Sequence, residues 1–266
     1  MVRSLAFLGA GNMAEAIARG VLAAGALPAE VMVAADPNAE RRRVFEGLGV
    51  TTYASATEAA VQAEVWLLAV KPQVMAGLLA ELASVAGEGR RVISIAAGVT
   101  AAFIERQLPG ARVVRSMPNT PMLLGAGVVA VSGGAAATAA DVAFAARLFE
   151  PAAEVVSLPE AKMDAVTAIS GSGPAYVFWL AEQMVAAGLA EGLSPEEART
   201  LALTTVSGAG RMLAEADADP AELRKRVTSP GGTTQAALTR LDEAGVGPLV
   251  VEAIRAAAAR SRELGA

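Results

Sequence analysis

Short, continuous apolar runs alternate with amphipathic stretches through the first 159 residues of this chain. Unbroken apolar runs are typical of parallel strands buried on both faces, and apolar positions spaced three and four residues apart are typical of helices. This alternation predicts an α/β fold in which helices cover both faces of a parallel sheet. The predicted strands are Val2 to Leu8, Val31 to Ala35, Glu64 to Val70 and Arg91 to Ala96, and the predicted helices are Met13 to Ala24, Arg41 to Leu48, Gln73 to Val85 and Ala101 to Leu108.

A further group of elements is expected to complete the sheet before the pattern changes. Its strands are predicted at Arg112 to Ser116, Gly127 to Val131 and Glu154 to Ser157, around a helix at Ala139 to Glu150. After Pro159 the strand-like runs stop, and four or five helices follow. Their starts carry a cap or turn residue with proline at or near the first helical position, where proline is favoured. The sequence therefore predicts two domains, residues 1–159 and residues 160–266, the second of them all-α.

The composition excludes several kinds of chemistry. The chain has 266 residues and contains no Cys and no His. Disulfides, thiolate nucleophiles, Ser-His or Cys-His pairs and the usual zinc ligand sets are therefore excluded, and no metal site is expected. The net charge is −5, and no basic run is longer than Arg41 to Arg43, so nucleic acid is not an expected partner.

No segment has the pattern of a membrane span or of a signal peptide. The longest uncharged stretch, Ser116 to Ala140, is interrupted by prolines and glycines. The N-terminus reaches the glycines at 9 and 11 before an apolar signal region could form. We therefore expect a cytoplasmic protein without membrane contact.

A glycine-rich turn follows the first predicted strand and opens the first predicted helix. It has the pattern Gly9-x-Gly11-x-x-Ala14, and Asp36 ends the second strand about 20 positions later. In such a turn the first glycine permits the tight bend, the second lets the backbone approach a pyrophosphate, and the helix N-terminus attracts the phosphates. The pattern predicts a Rossmann-like, doubly wound domain that binds NADH or NADPH. The candidate contacts here are Gly9, Ala10, Gly11, Asn12, Met13, Ala14 and Asp36.

Asp36 bears on the choice between the two cofactors. A carboxylate at the end of the second strand can bond the ribose 2′-hydroxyl and would repel a 2′-phosphate, which favours NADH. Arg41 to Arg43 follow closely and could reach round to a phosphate, so NADPH stays open.

Other candidate cofactor contacts lie where further strands are expected to end, at the sheet edge where doubly wound folds bind ligands. They are Val70, Lys71, Pro72, Ala97 and Gly98. Ser116 to Pro121 carries two prolines around an Asn-Thr pair, a pattern expected to prevent both helix formation and strand pairing. Within it, Met117 and Asn119 are also candidate cofactor contacts.

Two later segments concentrate glycines and small hydroxyl residues beside predicted helix starts. They are Ala168 to Tyr176 and Thr228 to Thr234. Consecutive N–H groups together with hydroxyls form a nest that suits a carboxylate. A structural cap alone would need one hydroxyl rather than four, so the second segment predicts a site for a substrate that carries a carboxylate.

The chain resembles the pyrroline-5-carboxylate reductases over nearly its whole length. The resemblance rests on the N-terminal glycine motif and on Val70-Lys71-Pro72, Met117 to Pro121, Gly171 to Tyr176, and Ser229 to Gly232 with Thr234. It implies a nucleotide-binding domain followed by a helical dimerisation domain, with a cyclic imino acid substrate bound where two protomers meet. Members often prefer NADPH. Asp36 departs from the pattern that goes with this preference, so the choice of cofactor stays open.

The same resemblance implies roles for individual residues. Ser229, Gly231, Gly232 and Thr233 are implied to hold the substrate carboxylate, while Thr234 faces the ring nitrogen. Gly173 is an implied substrate contact, and Ser229 and Thr234 are the candidate catalytic residues.

The implied reaction is the NAD(P)H-dependent reduction of 1-pyrroline-5-carboxylate to L-proline by hydride transfer to the C=N carbon. A cyclic imine accepts a proton on nitrogen more readily than a carbonyl does on oxygen, and its iminium form is already electrophilic. Placement of the reduced nicotinamide over that carbon then matters more than a strong acid. Such chemistry suits a chain without His.

Two other functions stay open at this point. A β-hydroxyacid dehydrogenase would share the glycine-motif domain followed by helices, but enzymes of that kind place a catalytic Lys on a helix of the second domain. Neither Lys162 nor Lys225 fits that position well. A catalytically silent dinucleotide sensor, whose helical half binds a protein partner, would need no carboxylate nest.

Large apolar faces in the helical half predict a homodimer. Val177 to Leu180 and Leu249 to Val251 are hard to bury in one thin layer of helices. A second copy of the chain would cover them. Packing of the helices against the first domain is the alternative.

Overall fold

The computed structural model of the chain describes residues 4–215 and 217–264. Its contacts divide it into two compact units. The first unit contains residues up to 172 together with the end of the last helix from residue 257, and the second unit contains residues 173–256. This division falls later in the chain than the predicted domain boundary at residue 159.

The first unit is built on one eight-stranded sheet. Its strands are β1 (Leu5–Leu8), β2 (Met32–Ala35), β3 (Thr51–Tyr53), β4 (Val65–Leu68), β5 (Arg91–Ser94), β6 (Arg112–Pro118), β7 (Gly127–Gly133) and β8 (Ala153–Ser157). Their order is β3-β2-β1-β4-β5-β6-β7-β8. The chain leaves β1 toward one edge and returns to β4 on its other side, so a topological switch point lies between β1 and β4, where ligands bind in open α/β sheets.

Helices cover both faces of the sheet, as predicted. They are α1 (Asn12–Ala23), α2 (Ala39–Glu46), α3 (Ala56–Ala60), α4 (Pro72–Leu82), α5 (Ala101–Gln107), α6 (Ala139–Phe149) and α7 (Met163–Val166). Alternate residues of β1 enter different cores because successive strand side chains point to opposite faces. Leu5 and Phe7 belong to the core with α1, whereas Ala6 and Leu8 belong to the core with α4.

The sheet departs from the predicted all-parallel arrangement at one pair. β6 and β7 are antiparallel, while the other described pairs are parallel. The chain joins β6 to β7 through a 3₁₀ turn at Thr120–Leu124 rather than through a crossover helix. A short connection of this kind returns the chain in the opposite direction.

The expectation that Ser116 to Pro121 forms neither helix nor paired strand was wrong. β6 continues through Met117 to Pro118, which pairs with Val129, and Pro121 lies in the first turn of the 3₁₀ helix. Pro118 is the last residue of its strand and Pro121 stands near a helix start, and both are places where a missing N–H is tolerated.

The second unit is helical. It contains α8 (Gly173–Ala190), α9 (Pro195–Leu213), α10 (Pro220–Arg226), α11 (Thr233–Glu243) and the first part of α12 (Val246–Leu264). Ser194 and Glu197 form the predicted capping box at the start of α9. Gly188 on α8 lies close to α9, since a Cβ there would stand 3.0 Å from the Cβ of Ala198.

The helices of the second unit keep large apolar side chains exposed. Phe178 is 62% and Trp179 55% exposed on α8, whose only buried described residue is Ala181. A helix that is apolar all round belongs in an interior. Among the described residues, no helix has the length and apolarity required to cross a bilayer.

Candidate active site

Gly9 directly follows β1 and has a backbone conformation that favours glycine. Its φ is +102°, and an added Cβ would lie 2.8 Å from the carbonyl oxygen of Ala69. Its N–H donates to the carbonyl oxygen of Ala35 at 2.8 Å. The turn is therefore held tightly between the ends of β2 and β4.

Ala10 has both of its main-chain polar groups engaged by charged side chains. Its N–H donates to Oδ2 of Asp36 at 2.9 Å, and its carbonyl oxygen accepts from Nε of Arg41 at 2.6 Å. Ala10 itself is fully buried. Ala10 remains a predicted cofactor contact, and its two hydrogen bonds orient the glycine turn.

The N-terminus of α1 is open beyond this turn. Gly11 is the N-cap, makes no side-chain cap, and has no atom within 4 Å of where a Cβ would stand. The N–H groups of Asn12, Met13 and Ala14 have no acceptor within the helix, because the first turn lacks preceding carbonyls. Open N–H groups and the positive end of the helix dipole fit a pyrophosphate. Ala14 is fully buried, as its predicted role in close packing requires.

Glu15 links the helix that follows the turn to two arginines. Its carboxylate pairs with Nε of Arg19 and with Nη2 of Arg41, each at 2.9 Å. Burial raises the pKa of Glu15, but the hydrogen bonds and charges of Arg19 and Arg41 outweigh it, so this pKa lies below its ordinary value of 4.5. Arg41 is thereby committed to α1 and to the turn.

The ends of β4 and β5 carry the next candidate cofactor residues. Lys71 is the exposed N-cap of α4, which begins at Pro72. Val70 lies against the glycine turn, since a Cβ at Gly9 would be 3.0 Å from its Cγ1. After β5, Ala97 is half-buried and Gly98 has a φ of +77°. These residues share the carboxyl edge of the sheet with Gly9.

Asn119 and Met117 take different places at the end of β6. Oδ1 of Asn119 accepts from the N–H of Val128 at 2.9 Å, so this buried amide side chain ties β7 to the turn. Met117 packs against Gly171, because a Cβ there would stand 2.5 Å from its terminal methyl group. Sequence reasoning missed the element that places Gly171, a π-helix at Thr167–Gly171. Such bulges are frequent at functional sites.

The loop before α11 forms a second helix N-terminus with an open first turn. Gly232 is the N-cap without a side-chain cap, so the N–H groups of Thr233 and Thr234 have no intrahelical acceptor. The N–H of Gly231 donates to the side chain of Gln235, and the N–H of Gly232 to the carbonyl oxygen of Ser229. The two glycine amides of the predicted nest are thus satisfied within the loop, and the two threonine amides are available for an anion.

Ser229 and the glycines of this loop are closely fitted. Gly231 has a φ of +70°, and a Cβ at Gly232 would collide with the hydroxyl of Ser229. Gly173, the remaining predicted substrate residue, begins α8 with no atom within 4 Å of an added Cβ.

Neither lysine of the alternative dehydrogenase function stands on a long helix. Lys162 ends an exposed 3₁₀ turn at Glu160–Lys162, and Lys225 lies on the exposed α10. Within the described chain, no group of three or more acidic residues could hold a metal ion.

A doubly wound sheet with a glycine turn opening onto a helix N-terminus at its carboxyl edge defines the class of nicotinamide dinucleotide oxidoreductases. The model of a family described as "NADP oxidoreductase coenzyme F420-dependent" matches residues 4–98, and that of "Pyrroline-5-carboxylate reductase dimerisation" matches residues 160–264. The pyrroline-5-carboxylate reductase of Pseudomonas aeruginosa is 43% identical over 98% of this chain and 96% of its own. That of Arabidopsis thaliana is 40% identical over 97% and 94%. The chain belongs to the pyrroline-5-carboxylate reductase family.

Solved structures agree with this assignment. The reductase of Coxiella burnetii is 34% identical, with a TM-score of 0.90 over 99% of each chain. The Plasmodium falciparum enzyme, solved with NADP bound, is 28% identical with a TM-score of 0.88. A Mycobacterium tuberculosis 3-hydroxyisobutyrate dehydrogenase has a TM-score of 0.54 at 20% identity, a likeness of fold alone.

Proposed function

We propose that this chain reduces 1-pyrroline-5-carboxylate to L-proline with NADPH or NADH. The observation that carries the proposal is its similarity, along nearly the full length of both chains, to reductases of that name. The glycine turn of the first unit and the glycine-threonine loop before α11 both lie inside the matched length.

In this reaction the chain's residues bind and orient the cofactor and the substrate. The bound reduced nicotinamide supplies a hydride. The open first turn of α1 holds the cofactor's pyrophosphate, and the N–H groups of Thr233 and Thr234, with the hydroxyl of Ser229, hold the substrate carboxylate. The hydroxyl of Thr234 hydrogen-bonds the ring nitrogen. Positioning supplies most of the rate enhancement, because a protonated imine is already electrophilic.

The assembly that acts is a homodimer, with residues 1–159 as the dinucleotide-binding domain and residues 160–266 as the helical dimerisation domain. The exposed aromatic side chains of α8 support this proposal. Burial of one large apolar side chain is worth roughly 1.5 to 3 kcal/mol, so covering several of them favours association of two chains.

The test is oxidation of NADPH and NADH by the purified chain, followed at the nicotinamide absorbance with and without 1-pyrroline-5-carboxylate. We expect substrate-dependent oxidation and one equivalent of proline, identified by mass spectrometry. Oxidation of a 3-hydroxyacid with NAD or NADP in place of this reaction would favour the dehydrogenase. Cofactor binding without turnover of either substrate would favour the sensor.

A further inference from the structure

We propose that this chain selects NADH over NADPH, and that Asp36 is the residue that excludes the 2′-phosphate. The inference rests on the proposed function only in taking the cofactor to be a nicotinamide dinucleotide. It runs against the family model's NADP description and the NADP-bound Plasmodium falciparum relative. Three features of the adenosine end of the site carry it.

First, the Asp36 carboxylate is held in place at the end of β2. Oδ2 accepts from the N–H of Ala10 and Oδ1 from the N–H of Asn38, each at 2.9 Å. The end of the second strand is where dinucleotide folds read the ribose 2′ position. Because both oxygens are fixed by main-chain donors, the carboxylate cannot swing aside for a second anion without breaking these bonds.

Second, the Asp36 carboxylate has no cationic partner. Within the described residues no Lys or Arg nitrogen forms a salt bridge with it. Arg42 does approach, but its Nη1 donates to the main-chain oxygens of Asp36 and Pro37, at 2.7 and 3.0 Å. A 2′-phosphate at this position would therefore meet a carboxylate whose charge no salt bridge of the described residues neutralises.

Third, two groups that could hold a phosphate, Arg41 and the N-terminus of α2, are already engaged. Arg41 is bonded to Ala10 and Glu15 on the other side of the turn. The N-terminus of α2 is closed, because Oδ1 of Asn38 caps it by accepting from the N–H of Glu40 at 2.8 Å, and Glu40 adds a negative charge in the first turn. A ribose 2′-hydroxyl needs none of these groups, since it can donate to Asp36.

The experiment measures binding with two probes that lack nicotinamide, ADP-ribose and 2′-phospho-ADP-ribose, by titration calorimetry on the full chain. We expect the wild type to bind ADP-ribose at least tenfold more tightly. Asp36→Asn keeps an oxygen for the N–H of Ala10 but removes the charge. We therefore expect the dissociation constants of the two probes to differ by no more than about threefold in this variant, mainly because 2′-phospho-ADP-ribose binds more tightly than it does to the wild type. A wild type that binds 2′-phospho-ADP-ribose equally well or better overturns the proposal, as does an unchanged ratio in Asp36→Asn.

The matched control is Glu30→Gln, which removes the same charge from an exposed residue before the opposite end of β2. Its probe ratio should equal that of the wild type. If Asp36→Asn does not fold, as judged by thermal unfolding, the wild-type ratio still decides whether the chain selects NADH, and Asp36→Ser, which also lacks the charge, decides the role of the carboxylate. Failure of the proposed reaction is distinguishable, because neither probe takes part in hydride transfer.

Discussion

Two glycines of the cofactor turn meet different physical demands, which makes them a matched pair. Gly9 combines a φ of +102° with a backbone contact at the site of any Cβ, whereas Gly11 has a φ of −68° and open space. Gly9→Ala should therefore cost about 1 to 3 kcal/mol of unfolding free energy. Gly11→Ala should leave stability nearly unchanged and weaken NADH or NADPH binding roughly tenfold, about 1.4 kcal/mol, because its methyl group occupies the pyrophosphate's approach.

Chemical unfolding and calorimetric titration measure the two effects separately. Gly77→Ala is the control, since Gly77 lies exposed within α4 with no atom near an added Cβ. It should raise stability by about 0.5 to 1 kcal/mol and leave cofactor affinity alone. A stable Gly9→Ala, or a Gly11→Ala that binds cofactor normally, would contradict the geometry.

Thr234 tests the substrate side at the same scale. Thr234→Ala removes the hydroxyl proposed to bond the ring nitrogen, so kcat should fall roughly tenfold while the Kd of the cofactor stays constant. Thr239→Ala changes an exposed threonine on the same helix and should leave kcat unaltered. Steady-state kinetics with 1-pyrroline-5-carboxylate supply the measurement, and an unaltered kcat in Thr234→Ala would remove this residue from the mechanism.

At the scale of elements, Asp141 joins α6 to the beginnings of β5 and β6. Its side chain is 3% exposed, completes a capping box with Thr138, and lies 3.0 Å from Nε of Arg91 and 3.3 Å from Nη1 of Arg112. The contact between Arg91 and Asp141 is an ion pair without a hydrogen bond. Burial raises the pKa of Asp141, but Thr138 and the two arginines outweigh it and hold this pKa below its ordinary value of 3.8.

Asp141→Asn should therefore destabilise the chain by about 1 to 3 kcal/mol at neutral pH, since it leaves two half-buried arginines without their shared anion. A lowered native pKa adds stability that is complete above the unfolded pKa and disappears as the pH falls through the native value. The difference between wild type and variant should thus be constant near neutral pH and shrink below pH 3.8. Urea unfolding across this range measures it, and a difference that grows in acid would refute the assignment.

For the whole molecule, the exposed aromatic residues of α8 predict how the chain assembles. Trp179→Glu should raise the dimer dissociation constant at least a hundredfold, because an interface aromatic buries roughly 150 to 250 Å² and a carboxylate there is left unpaired. The subunit fold should persist, since Trp179 is 55% exposed in the single chain. Sedimentation equilibrium at several concentrations measures the change.

Val61→Glu is the control for this substitution, because it places the same charge on an exposed valine of the first unit. It should leave the assembly intact. We expect Trp179→Glu to keep cofactor binding and to lose reductase activity in parallel with dissociation. An assembly insensitive to Trp179→Glu would show that α8 does not form the interface.

Local signals account for most of the elements that were predicted correctly. The strands β1, β2, β4 and β5 are continuous apolar runs, and α9 begins at a capping box, features read from residues close together in the chain. The short elements β3 and α3 were missed, because three and five residues are too few to show a period. The π-helix at Thr167–Gly171 was missed as well, since only its glycine and serine content marked it.

The sequence by itself determined the alternation of strands and helices, the glycine turn and the hydroxyl-rich loop, because each depends on neighbouring residues and their conformational preferences. Only the tertiary structure decided that β7 runs antiparallel to β6, and that Asp36 and Arg41 hold the two sides of Ala10. These pairings join residues far apart in the chain. They follow from which strands become neighbours when the apolar faces are buried, and no local pattern contains that information.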